Sequence, residues 1–108
     1  MASYDLYEIR ASSLEDAKKM LEEIMHISFE EHDSRYHRGP YFSFGQMGEE
    51  NFEVKVNLDP FEDAPNEQDF QHSRFLLYVN NTNRSQELRR MFSNSNGNVV
   101  LLRHEELR

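Results

Sequence analysis

Residues 52–58 read FEVKVNL, with Phe52, Val54, Val56 and Leu58 alternating with Glu53, Lys55 and Asn57. Successive side chains of an extended chain point to opposite faces, so the pattern predicts a strand with one face in a core and the other meeting water or a partner. Asp59-Pro60 ends it, because proline has no N–H to give to a ladder. Residues 61–71, FEDAPNEQDFQ, then form an irregular loop with a helical turn after Pro65. Residues 73–79, SRFLLYV, are almost continuously apolar, as a central strand covered on both faces would be.

Upstream, residues 41–46 form a strand with Phe42 and Phe44 on one face, joined to the first by a hairpin turn at Met47-Gly48-Glu49-Glu50. Residues 4–10, YDLYEIR, make an opening strand. Between these lies the strongest helix. Ser13-Leu14-Glu15-Asp16 has the form of a capping box, and Leu14, Ala17, Leu21, Ile24 and Ser28 recur at spacings of three and four, with Met20 and Ile27 beside them. The helix must stop before Gly39-Pro40.

Downstream, Asn80 to Asn83 are turn and cap residues, and Asn83 with Gln86 forms a second capping box. The helix it opens, residues 84–92, turns Leu88, Met91 and Phe92 inward and Arg84, Arg89 and Arg90 largely outward. Asn96-Gly97 makes a turn, residues 99–102 a last buried strand, and the tail HEELR is frayed or a short extension. The expected order is β-α-β-β-β-α-β: a single α+β domain over residues 1–108 with a mixed, mostly antiparallel sheet and helices packed on one face. Its β-α-β portions suggest a variant of a ferredoxin-like split.

At 108 residues the chain has room for one core, to which eight Phe and five Tyr give large apolar area. It has no cysteine, which removes disulfides and thiolate metal sites and suits a reducing compartment. The opening MASYDLYEIR is no secretory signal, and no apolar run approaches a membrane span. A cytoplasmic protein that makes no membrane contact is expected.

Charge is the other strong signal. Residues 49–70 hold eight carboxylates, Glu49, Glu50, Glu53, Asp59, Glu62, Asp63, Glu67 and Asp69, against Lys55 alone, so that −7 of the chain's −8 lies in one fifth of its length. Such acidity argues against direct nucleic-acid binding, which depends on Lys and Arg neutralising phosphates. It favours a basic partner. A charged edge that keeps sheets from pairing with one another is the plainer reading. Three features point past it: the carboxylates are nearly unopposed, Phe61 and Phe70 sit among them as candidate interface anchors, and Glu53 and Asp59 extend the same surface.

Catalytic signals are sparse. Residues 32–37, HDSRYH, gather the groups for acid–base chemistry, with His32, Asp33 and His37 as candidates, although His and Arg also suit a polar helix end. No glycine-rich phosphate loop, nucleophile elbow or metal-ligand spacing occurs, so no catalytic residue, cofactor or metal is assigned. Arg84, Arg89, Arg90 and Arg103 make at most a small basic patch, and more simply a solvated helix face.

The small, acidic, cysteine-free α+β outline and the stretch EEHDSRYHRGPYFSF, residues 30–44, resemble bacterial toxin-immunity proteins of the contact-dependent growth inhibition or polymorphic-toxin type. The resemblance implies an inhibitor, not an enzyme, that occludes the active site of a cognate toxin domain, often a nuclease. The expected contact surface is Glu49, Glu50, Glu53, Asp59, Phe61, Glu62, Asp63, Glu67, Asp69 and Phe70, and the free protein is expected to be a monomer or weak homodimer. A small enzyme using His32, Asp33 and His37, and an intracellular regulatory interaction module, are the alternatives.

Overall fold

The computed structural model describes residues 2–34, 39–59, 61 and 63–107. The strand read from residues 52–58 is β4, Asn51–Val56, and the apolar segment after the acidic loop is β5, Phe75–Thr82. They pair antiparallel, Phe52 opposite Val79 and Val54 opposite Leu77. The opening strand is β1, Ala2–Ile9, and the aromatic strand is β3, Gly39–Gly45. With β2, Glu30–Ser34, and β6, Val99–Leu107, they form one six-stranded sheet in the order β2-β3-β4-β5-β1-β6.

Every neighbouring pair is antiparallel. The expected α+β class therefore holds, and β1 lies between β5 and β6. Since each runs opposite to β1, β5 and β6 are parallel to one another, and the helix joining them completes a split β-α-β unit.

Helix α1, Leu14–Met25, starts where the capping box placed it: the Asp16 N–H donates to Ser13 Oγ at 3.0 Å. It ends at His26, which takes a left-handed conformation (φ 56°) while its N–H closes on the Glu22 carbonyl. Helix α2, Ser85–Phe92, differs from its expected capping. Asn83 and Gln86 form no box; the cap residue is Arg84, whose N–H donates to Thr82 Oγ1 at 3.1 Å. Thr82 can serve because β5 runs three residues beyond the expected end at Val79.

Both helices pack on one face. Ala17, Leu21 and Met25 of α1 and Leu88 and Phe92 of α2 join Tyr7, Ile9, Phe42, Phe52, Val54, Phe75, Leu77 and Val79 in one buried cluster. Leu6 and Leu76 are 1% and 0% exposed yet lie outside that cluster. They point to the opposite face, so β5 and β1 are covered twice.

At the sheet edges one expectation is corrected and one choice is decided. Residues 30–34 are not a helix end but the edge strand β2, with Glu30 opposite Ser43 and His32 opposite Tyr41. For the tail, expected to be frayed or a short extension, the extension is what forms: β6 pairs with β1 as far as Leu107 opposite Ala2. Both are charged edge strands, which have no inward–outward hydrophobic alternation to betray them.

Candidate functional site

The open face of the sheet is crossed by the acidic segment, residues 57–73, which acts as a strap. Its anchor is Asn57, 7% exposed. The amide nitrogen donates to the Phe70 carbonyl at 3.0 Å and the Ser73 carbonyl at 2.9 Å, and the amide oxygen accepts the Glu67 N–H at 2.8 Å. One side chain at the start of the loop thus satisfies three backbone groups at its end, as buried polar groups require.

Glu67 is the second tie. Tyr78 Oη donates to its Oε2 at 2.6 Å, Arg103 Nη1 donates to its Oε1 at 2.9 Å, and Asn66 Nδ2 donates to Tyr78 Oη at 2.8 Å. Burial raises the Glu67 pKa, but the Arg103 and Tyr78 hydrogen bonds outweigh it and hold the carboxyl below its ordinary range. Burial, reinforced by the Glu67 carboxylate, pushes the Tyr78 phenol up. Lys55 lies over the Tyr78 ring at 5.2 Å. Ser73 Oγ donates to Glu8 and is the main cause that lowers the Glu8 pKa.

Between these ties the strap turns outward. Asp59 accepts the Phe61 N–H at 2.8 Å, an Asx-type turn, and its own N–H donates to the Ala64 carbonyl at 2.8 Å. Phe61 is 77% exposed, and Asp63 and Asp69 are exposed as well. The helical turn expected after Pro65 is the 3₁₀ turn Gln68–Phe70.

The anticipated contact residues therefore separate into groups. Phe61, Asp63 and Asp69 are exposed on the strap and Asp59 is half-buried at the turn that leads to them; Glu62 lies outside the described residues. Glu67 and Phe70 face inward, Phe70 half-buried with its carbonyl held by Asn57. Glu53 is on the open sheet face, opposite Tyr78 and Ser43. Glu49 and Glu50 stand just before β4, at the end away from Asn57.

The expectation of nearly unopposed carboxylates is corrected. Glu50 accepts from Arg84 Nη2 at 2.7 Å and Nε at 2.9 Å and from Thr82 Oγ1 at 2.7 Å, and Arg84 is the leading cause of its lowered pKa. Glu50 and Glu67 each have an arginine that is remote in sequence. The basic patch does not form, because Arg84 and Arg103 are spent on these two carboxylates and Arg103 lies on the face away from α2.

The acid–base candidates do not converge either. His32 and Asp33 are adjacent on β2 and so face opposite sides. His32 Nε2 lies 2.8 Å from Ser43 Oγ, its ring stacked on Tyr41 at 5.0 Å, and His37 is outside the described residues. Among the described residues no group of His, Asp and Glu is disposed to hold a metal, and no helix is long and apolar enough to cross a membrane.

Asn57, Tyr78 and Arg103 were absent from the expected site. The only local hint was a polar residue just before the Asp59-Pro60 stop. The fold and site define an antiparallel α+β domain with a tied acidic strap on its open face. Comparison with family models, curated proteins and solved structures found no match for the chain.

Proposed function

We propose that this protein is an immunity-type inhibitor, acting in the cytoplasm, that binds a basic toxin domain through the outer surface of the strap and neutralises it by occupancy rather than by catalysis. The observation that carries the reading is the anchoring of the strap by Asn57 and Glu67. An acidic loop needed only for solubility gains nothing from being held in one shape. A recognition loop does, because ordering it beforehand removes that cost from association.

The chemistry of the surface fits such a partner. Asp59, Asp63 and Asp69 supply negative charge that steers a positively charged cleft, and Phe61 supplies an aromatic anchor at their centre. Glu53 on the neighbouring sheet face extends the same field. Glu49 and Glu50 belong to the other end of β4, with Glu50 serving the α2 junction.

The test is affinity capture with the tagged full-length chain from its source cell, followed by assay of whatever basic domain is recovered. The expected result is a basic domain whose toxic activity the added protein abolishes. Recovery of this chain alone, or of a basic domain whose activity persists when it is bound, overturns the reading.

A further inference from the structure

Arg103 and His104 are neighbours on β6, so their side chains leave opposite faces of the sheet. On the open face Arg103 grips Glu67 of the strap at 2.9 Å and Glu105 at 3.1 Å. His104 faces the helix side, where Nδ1 is bonded to Asp5 and Nε2 lies 3.3 Å from Glu106. A tie of the strap and a titratable side chain thus hang on consecutive residues of one strand.

That strand is weakly held where they sit. The ladder between β6 and β1 passes from Leu101 opposite Tyr7 to Arg103 opposite Leu6, so Leu102 is an extra residue. The outer half, residues 103–107, pairs with residues 2–6 of β1, and β6 is the last strand of the sheet, with its other edge open. Glu105, Glu106 and Leu107 are exposed. Beyond the ladder, Arg103 and His104 tie this half to the strap and to β1.

The His104 tie depends on charge. Each ring nitrogen faces a carboxylate, and only the imidazolium has an N–H for both. The Asp5 side chain is 0% exposed and its Oδ2 has no hydrogen-bond partner, so the ring also supplies the positive charge that a buried carboxylate needs. Loss of the proton leaves one N–H, turns a lone pair toward the other carboxylate and takes that charge from Asp5. From α2, Arg84, Glu87 and Arg89 line the groove that His104 borders. Arg84 is paired with Glu87 and Glu50, and Arg89 opposes the ring's charge. The Tyr7 hydroxyl beyond Asp5 stays neutral, since burial pushes it up to about 12. The Asp5 and Glu106 carboxylates prevail, Asp5 first, and raise the His104 pKa above 6.5. The tie is therefore complete below about pH 6.5 and is lost as pH rises through the raised value.

We propose that His104 is a pH-sensitive latch for the strap. With the ring charged, the outer half of β6 is pinned to β1 and Arg103 is held where it grips Glu67. With the ring neutral, that half of β6 loosens and the strap loosens with it. The latch acts on the strap itself, so its test needs no partner, and its failure leaves the strap's recognition role to its own test.

The experiment is amide hydrogen exchange of the full chain at about pH 6 and about pH 9, each rate compared with its intrinsic value at that pH. The Glu67 and Phe70 amides, bonded to Asn57 Oδ1 and to the Glu67 carbonyl, report the strap, and Leu77 in β5 reports the whole fold. Strap protection should fall by about fivefold between the two pH values, the low end of ordinary coupling between sites, and stay below that of Leu77. His104→Gln should abolish the fall. Arg103→Met should abolish it in the strap but keep it in the amides that β6 gives to β1. Glu106→Gln, at an exposed position, should shrink the fall and serves if the His104 variant does not fold. Strap protection equal to that of Leu77, an undiminished fall in a folded His104→Gln or Glu106→Gln protein, or a full fall in the strap of Arg103→Met overturns the latch.

Discussion

Glu67 and Arg103 are 36 residues apart in sequence and 2.9 Å apart in space, joined across the open face of the sheet with the Tyr78 hydroxyl on the other carboxylate oxygen. This contact turns a carboxylate of the acidic segment from a surface charge into a tether. It also sets the division of labour along residues 57–73: Asn57, Glu67 and Phe70 hold the strap down, and Phe61, Asp63 and Asp69 are what it holds out.

Arg103→Met should loosen the strap without unfolding the sheet. The Arg103 side chain is 38% exposed, so the pair contributes only about 1 kcal/mol to global stability. The larger effect is local, and hydrogen exchange of the amides at residues 59–70 should accelerate while those of β5 remain protected. Equal acceleration in both segments would show that the tie belongs to the whole fold.

Asn57→Ala should cost more than Arg103→Met. It leaves the Ser73 carbonyl and the Glu67 N–H without their partners, while the Phe70 carbonyl keeps the Ser73 N–H, a loss of roughly 2 kcal/mol in all, against about 1 kcal/mol for the half-exposed ion pair. Urea unfolding should show a midpoint lowered accordingly. A loss below about 1 kcal/mol would mean that the backbone groups find water easily and that Asn57 is not the anchor.

The pH profile should have two limbs. Glu8, Glu50 and Glu67 have folded pKa values held below 4.5, so their contribution is fully present above about pH 4.5 and is lost as pH falls through the depressed values. His104 faces Asp5, Glu106 and Arg89, and the balance raises its pKa above 6.5. Its contribution is complete below about pH 6.5 and is lost as pH rises through the raised value. Unfolding midpoints measured across pH should therefore fall on both sides, and His104→Gln should flatten the alkaline limb alone. An unchanged alkaline slope in that variant would remove His104 from the account.

How far the chain could be read follows from which constraints are local. Phe52, Val54 and Val56 announce β4 because strand alternation is a nearest-neighbour pattern, and Ala17 and Leu21 announce α1 for the same reason at helical spacing. SRFLLYV revealed that β5 is covered on both faces but not by what; Leu76 turned out to lie on the face that the strap crosses. EEHDS was misjudged, and HEEL left between fraying and extension, because an edge strand can be charged on both faces once its neighbour supplies the hydrogen bonds.

The site was legible as charge and illegible as structure. Eight carboxylates within 22 residues mark residues 49–70 in composition, yet nothing local to Glu50 or Glu67 announces that Arg84 and Arg103 will come to them. Nor does the sequence at Asn57 disclose a side chain that spans a loop. Those contacts follow from strand order, which no local period encodes.

We propose recognition of a basic domain by the strap's outer acids. It is tested most directly by association kinetics between this protein and the captured toxin domain at increasing ionic strength, for wild type and for an Asp63→Asn, Asp69→Asn double variant that leaves Asn57 and Glu67 in place. The account predicts fast association that slows steeply with salt in the wild type, and slower, flatter association in the variant. Identical rates and identical salt dependence in the two proteins would contradict it.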